Sequence, residues 1–227
     1  MTAVELNVAV GGNVHGEKRV APIVKSASTV AWADEAATQL FAQAMAARPA
    51  VHNAFIELHG TLGAGKTTFV RHLLRALGVQ GPVKSPTYAV VEPYELALPN
   101  PSINPLADPL ADPLIAPTLL NMWHFDFYRF NDPREWEDAG FRDIFASPGL
   151  KIAEWPENAA SHLPRADLVI RIDVLADESR LVSLEAQTAV GIRLLDSTAA
   201  SKAACTASAR AETPIPPPTR AALGRPG

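Results

Sequence analysis

The run Gly60-Thr61-Leu62-Gly63-Ala64-Gly65-Lys66-Thr67 places glycines, a lysine and a hydroxyl at the spacing G-x-x-x-x-G-K-[ST]. Each residue type has a physical task at that spacing. Glycines let the backbone turn its N–H groups toward phosphate oxygens, the lysine brings a cation to the β- and γ-phosphates, and the threonine hydroxyl holds Mg²⁺. The candidate nucleotide-binding residues are therefore Thr61, Leu62, Gly63, Ala64, Gly65, Lys66, Thr67 and Thr68, with Thr67 also a candidate metal ligand. A glycine turn beside a solvated lysine would look similar, but the flanks argue against it. Ala54-Phe55-Ile56-Glu57-Leu58 reads as a buried strand, and Lys66 to Leu77 puts Phe69, Val70, Leu73, Leu74 and Leu77 on one helical face before Gly78 stops the helix. Strand, glycine loop and helix in that order are the setting a phosphate loop needs.

A phosphate loop implies a nucleotide and leaves the reaction open. Three polar residues further along are candidates for it. Glu154 ends the strand-like run Leu150-Lys151-Ile152-Ala153-Glu154, a position from which a carboxylate reaches Mg²⁺ directly or through water, although an edge-strand glutamate would read the same way. Asp126, in Trp123-His124-Phe125-Asp126-Phe127, is equally compatible with catalysis and with structure. Thr87 lies in a loop after the first phosphate-loop helix, where its hydroxyl could sense a γ-phosphate or serve only a Ser-Pro-Thr turn. Trp155 beside Glu154 could stack near a nucleotide, yet a tryptophan at a strand end is more often core.

The elements that must carry these residues alternate strands and helices. A helix over about 34–47 is predicted from the capped start Asp34-Glu35-Ala36-Ala37, and Tyr88-Ala89-Val90-Val91 and Leu168-Val169-Ile170-Arg171-Ile172 are further strand candidates. The pattern predicts an α/β fold, with a folded domain over 25–197. Residues 98–118 contain Pro99, Pro101, Pro105, Pro109, Pro113 and Pro117, which predicts an exposed insertion, and the compositions of 1–24 and 198–227 predict disordered ends.

Composition narrows the classes. A formal charge of −4 gives no strongly cationic surface for holding RNA by phosphate neutralisation alone. The lone Cys205 excludes a disulfide framework. No stretch approaches the roughly 20 consecutive apolar residues of a membrane span, and the N-terminus lacks the pattern of a secretory signal, so a cytoplasmic protein is expected.

After the phosphate loop come Lys84-Ser85-Pro86-Thr87-Tyr88, His124-Phe125-Asp126-Phe127-Tyr128-Arg129 and Glu154-Trp155-Pro156, in that order. From about Asp34 to Arg180 the sequence resembles the TsaE (YjeE) family, ATPases required for threonylcarbamoylation of the adenosine beside the tRNA anticodon. The resemblance implies a three-layer P-loop fold around a central, mainly parallel sheet, with ATP and Mg²⁺ as its cofactors. It implies that Asp126 aligns or activates the water attacking the γ-phosphate and that Glu154 is catalytic and, with Thr67, a metal ligand. It places Glu35 near the adenine end, although an acid in a first helical turn also suits the helix dipole, and it lets Arg180 reach the nucleotide or remain a solvated turn residue. It further implies TsaB-like and TsaD-like partners, a threonylcarbamoyl-adenylate made by TsaC, and only indirect contact with tRNA.

Two departures from the family pattern stand out. Thr61 replaces an acidic residue after the first glycine, and Lys151 interrupts the strand before Glu154. Two other functions share the loop. A small-metabolite kinase normally adds an arginine-bearing lid, and no Arg-rich segment is evident between 79 and 123; a nucleotide-sensing module would use Asp126 and Glu154 only to hold Mg²⁺.

Overall fold

In the computed structural model the described residues are 26–98 and 118–196. The ends expected to be disordered, 1–24 and 198–227, lie outside them, as does 99–117 of the Pro-rich stretch. In chain order the elements are β1 (Ser26–Trp32), α1 (Glu35–Ala46), β2 (Phe55–His59), α2 (Lys66–Leu77), β3 (Val91–Leu98) and β4 (Thr118–Asp126), then α3 (Pro133–Asp138), α4 (Phe141–Ala146), β5 (Leu150–Glu154), β6 (Leu168–Val174), β7 (Arg180–Ala186) and α5 (Ala189–Leu195). Short 3₁₀ turns cover Pro49–Asn53 and Pro156–Ala159.

All seven strands form one sheet in the order β1-β7-β6-β2-β5-β4-β3. The four central strands β6, β2, β5 and β4 run parallel, and β7, β1 and β3 add antiparallel edges. A parallel core needs cover on both faces, and the alternation of side chains along each strand supplies two apolar surfaces. Ile56, Leu58, Met122, Ile152 and Ile170 pack with Met45 of α1, Phe69, Val70, Leu73 and Leu74 of α2, and Leu194 of α5. The intervening Phe55, Phe125, Ala153 and Val169 face the other way, against Trp136 of α3 and Phe141 of α4. The result is the three-layer α/β architecture with its mainly parallel centre.

Local chemistry sets the element ends. Asp34 caps α1 through a 2.8 Å bond from the Ala37 N–H, and α2 starts at Gly65, whose φ of 110° is left-handed. Gly60 sits at φ +144°, where an added Cβ would meet the Ile172 carbonyl oxygen at 2.5 Å, so the first glycine of the loop is required by close packing against β6. β5 is buried along its whole length because it lies between β2 and β4. Lys151 does not weaken it: its Nζ donates to the Ser147 carbonyl and lies 5.2 Å from the Trp123 ring.

One strand expected from sequence is misplaced. The apolar run Tyr88–Val91 does not form a strand until its last residue. The Val90 N–H instead donates to the Pro86 carbonyl at 2.7 Å, closing a turn that holds Val90 at φ 65° and leaves Tyr88 84% exposed. Its β-rich composition gave the strand signal, but the backbone donor went to the turn. The antiparallel strands β1 and β7 were not anticipated, and Arg180 is the first residue of β7 rather than part of a turn.

Leu98 and Thr118 pair directly across the β3–β4 hairpin, so the Pro-rich stretch begins and ends within the reach of a short turn. Replacing 99–117 with a four-residue Asn/Gly turn is expected to leave unfolding cooperative and to raise stability by about 1 kcal/mol through the shorter closed loop. Chemical denaturation of the full chain and the deletion variant checks this; loss of a cooperative transition would make the segment part of the core.

Candidate functional site

Open α/β sheets bind ligands beyond the carboxyl ends of their parallel strands. Here β2 runs into the phosphate loop, β5 ends at Glu154 and β4 ends at Asp126. Register brings these ends level, since Leu58 of β2 and Asp126 of β4 both pair with Glu154. The period of two along a strand then puts Met122, His124 and Asp126 on the face that carries Ile152 and Glu154, the face covered by α2.

Around these strand ends lies a cleft of about 340 Å³ lined by Leu62, Gly63, Gly65, Lys66, Thr67, Thr68, Ser85, Thr87, Asp126, Tyr128, Glu154 and Trp155. A comparable cleft of about 400 Å³ at Asn53, Lys151, Arg165 and Asp167 opens at the opposite, amino ends of the strands. It contains none of the predicted residues.

Lys66 is buried, and its Nζ donates to the carbonyls of Gly60 at 2.6 Å and Thr61 at 2.9 Å while lying 3.9 Å from the centre of the Trp155 ring. Burial pulls the ammonium below its ordinary lysine value, opposed by the charges of Glu154, then Glu157 and Asp126. An ammonium held by neutral carbonyls is under-compensated and suited to exchange them for phosphate oxygens. The Thr67 hydroxyl donates to Glu154 Oε2 at 3.0 Å, joining the loop to β5 across 87 positions of sequence. Glu154 Oε1 lies 2.9 Å from His124 Nε2, and both residues are almost wholly buried.

Asp126 has a separate set of partners. Its Oδ2 accepts from Thr87 Oγ1 at 2.8 Å and from Ser85 Oγ, those two hydroxyls lie 2.6 Å apart, and its Oδ1 accepts from the Tyr128 N–H at 3.0 Å. The Asp126 N–H donates to the Val90 carbonyl at 2.9 Å, so three hydrogen bonds tie the 85–90 loop to this strand end. Asp126 and Glu154 are thus side by side in register but bonded to different elements.

Thr61 and Ala64 do not line the cleft. Thr61 shapes the loop by accepting the Ala64 N–H at 3.1 Å, and buried Ala64 packs toward β7, where its carbonyl accepts from Arg180 Nε at 3.4 Å. Glu35 and Arg180 meet in a separate depression of about 90 Å³ that also includes Trp32, Asp34, Thr38, Gly65 and Thr68. It borders the same loop on the side of α1. Glu35 accepts there from His72 at 2.9 Å if the ring nitrogen carries the proton.

Sequence reasoning left Ser85, His124 and Tyr128 without a role and did not count Trp155 in the site. Counting by two from Asp126 along its strand would have found His124. Trp155 is oriented by a left-handed backbone at φ 56° and by the Tyr128 ring 5.0 Å away, and neither is encoded in a local pattern.

The donor set fits Mg²⁺ with a nucleotide. Thr67 and Glu154 offer oxygen atoms alone, the preference of a hard cation, and Lys66, Thr67 and Thr68 at the start of the twelve-residue α2 line the cleft. Among the described residues no three His, Cys, Asp or Glu side chains are grouped so as to hold a metal ion by themselves. Among the same residues no helix is long and apolar enough to cross a membrane.

A family model described as threonylcarbamoyl adenosine biosynthesis protein TsaE matches residues 32–182. A Haemophilus influenzae protein named tRNA threonylcarbamoyladenosine biosynthesis protein TsaE is 38% identical over 140 residues, covering 62% of this chain and 75% of that relative. A Bacillus subtilis protein of the same name is 33% identical over 138 residues, covering 61% of this chain and 71% of its own length. The crystal structure of Bacillus subtilis YdiB aligns with a TM-score of 0.54 at 22% identity over 79% of this chain and 98% of that one, a likeness of fold.

Proposed function

The chain belongs to the TsaE family, and from that premise we propose that it hydrolyses ATP with Mg²⁺ in support of threonylcarbamoyladenosine formation in tRNA. The observation that carries the ATPase reading is the Thr67–Glu154 hydrogen bond inside the cleft, with Asp126 on the adjoining strand. It gathers a phosphate loop, an oxygen pair suited to a hard cation and a second carboxylate at the ends of three parallel strands.

When bound, Mg²⁺ would supply charge neutralisation at the β- and γ-phosphates, with Thr67 and Glu154 holding it. Lys66 leaves the carbonyls of Gly60 and Thr61 to meet the same phosphates. The loop amides and the amino end of α2 orient the phosphate chain, and the Trp155 ring covers one side of the cleft against water. Asp126 accepts a hydrogen bond from the attacking water and holds it in line with the γ-phosphate. Thr87 and Ser85, bonded to that carboxylate, couple its orientation to the 85–90 loop. Glu35 and Arg180 contact the adenosine end from the depression beside α1.

The partners in this reading are a TsaB-like and a TsaD-like protein, and tRNA is reached through them. The formal charge of −4 supports an indirect role. Single-turnover assays on the full chain with γ-labelled ATP are expected to release inorganic phosphate, with faster turnover when a purified TsaB–TsaD pair is added. Transfer of the label to a small acceptor would overturn the hydrolase reading, and a rate indifferent to the pair would overturn the partner assignment.

A further inference from the structure

We propose that His124 is a positioning residue that fixes Glu154 as a one-oxygen metal ligand and so biases the site toward Mg²⁺ over Ca²⁺. The inference rests on the Mg²⁺-dependent reading above. Its basis is the division of the Glu154 carboxylate: Oε1 lies 2.9 Å from His124 Nε2, whereas Oε2 accepts from Thr67 Oγ1 at 3.0 Å. His124 is completely buried and Glu154 is 2% exposed, so neither oxygen exchanges its partner freely with water.

The surroundings choose the tautomer. Among the described residues none gives the buried His124 Nδ1 a hydrogen-bond partner. A proton there would leave an unsatisfied N–H in an apolar core and would set two acceptors, Nε2 and Oε1, against each other at 2.9 Å. A proton on Nε2 satisfies Oε1 and leaves on Nδ1 only a bare acceptor lone pair rather than an unpaired buried N–H. His124 therefore donates to Oε1 and holds it away from the cation, and Oε2 alone remains on the side of Thr67. Strand geometry keeps the arrangement stiff, because His124 and Glu154 lie on neighbouring parallel strands with the same facing and the Phe127 N–H is bonded to the Glu154 carbonyl at 3.0 Å.

A single carboxylate oxygen suits the near-octahedral shell of Mg²⁺, whereas the larger Ca²⁺ gains from two oxygens of one carboxylate. Partners that orient a metal ligand commonly change metal affinity by about ten- to a hundredfold when removed. The site-ward consequence is selectivity as well as affinity.

The test compares His124→Gln with His124→Asn in the full chain. Gln carries its amide N–H to the place of Nε2, and Asn reaches only the place of Nδ1. With ADP as the probe, calorimetry across Mg²⁺ and Ca²⁺ titrations should give a Gln variant close to wild type. The Asn variant should bind ADP about ten- to a hundredfold more weakly with Mg²⁺ and lose less with Ca²⁺, so that the preference between the cations narrows. Two folded variants with the same profile overturn the proposal, as does an Asn variant whose cation preference is unchanged. The wild-type chain provides a second reading that needs no substitution: the ring ¹⁵N shifts of His124 should place its proton on Nε2, and a proton on Nδ1 overturns the proposal. If wild-type protein shows no metal-dependent ADP binding at all, the underlying ATPase reading falls and takes this inference with it, an outcome distinct from failure at His124 alone.

Discussion

Asp126→Asn is expected to bind ATP with Mg²⁺ nearly as well as wild type and to hydrolyse it about 10²- to 10⁴-fold more slowly, the range associated with a positioned proton acceptor. The separation of binding from rate follows from its contacts. Asp126 is bonded to Ser85, Thr87 and the Tyr128 N–H, while Thr67 is bonded to Glu154 and Lys66 to the loop carbonyls. An asparagine keeps the volume and one acceptor oxygen but loses the charge and basicity that favour proton transfer from water. An interaction used mainly in the transition state lowers turnover without lowering ground-state affinity. Calorimetry with ATP and single-turnover rates on the same preparation measure both halves. Hydrolysis at the wild-type rate would reduce Asp126 to a brace for the 85–90 loop, and a matching loss of affinity would place it among the nucleotide-binding groups instead.

Lys66→Ala is expected to raise the ATP dissociation constant by about ten- to a hundredfold, because a charge-assisted contact to phosphate is worth about 1.5–3 kcal/mol. The folded state should survive the change. The ammonium is already disfavoured by burial, and the helix it begins is anchored further along by Phe69, Val70, Leu73 and Leu74. Removing it also releases the Trp155 ring from a cation 3.9 Å away, so the tryptophan emission of the nucleotide-free protein should change even where ATP no longer binds tightly. Isothermal calorimetry beside a denaturation curve gives the comparison. Unchanged affinity in a cooperatively folding Lys66→Ala chain would remove the phosphate-loop assignment.

The strand–glycine loop–helix unit was legible in the sequence because its information is local. Gly60 to Thr67 are consecutive, and the preceding apolar run and following amphipathic run need no distant residue to be read. The helix expected over Lys66 to Leu77 has those bounds in the structure, and the strand Leu150 to Glu154 likewise. Burial on one face gives a helix its period, burial on both faces gives a central strand its continuous apolar character, and both signals survive without knowledge of neighbours. Where local signals compete the reading failed: Tyr88 to Val90 has the composition of a strand, but the carbonyl of Pro86 captures the Val90 N–H and turns the chain.

The order of motifs along the chain carried the resemblance, and with it the expected roles of Asp126 and Glu154. What the sequence by itself determined was therefore a glycine-rich strand–loop–helix unit on an α/β scaffold and a short set of polar residues at strand ends. Tertiary structure decided which of those residues meet. Thr67 and Glu154 are 87 positions apart and Thr87 and Asp126 are 39 apart, and each pair is joined only because β2, β5 and β4 align with Leu58, Glu154 and Asp126 in register. Register is set by burying both faces of the whole sheet at once, an energy shared among residues from every element, so no local pattern encodes it. The same global packing put Glu35 and Arg180 in their own depression, laid Trp155 over Lys66, and buried His124 with Nε2 beside Glu154.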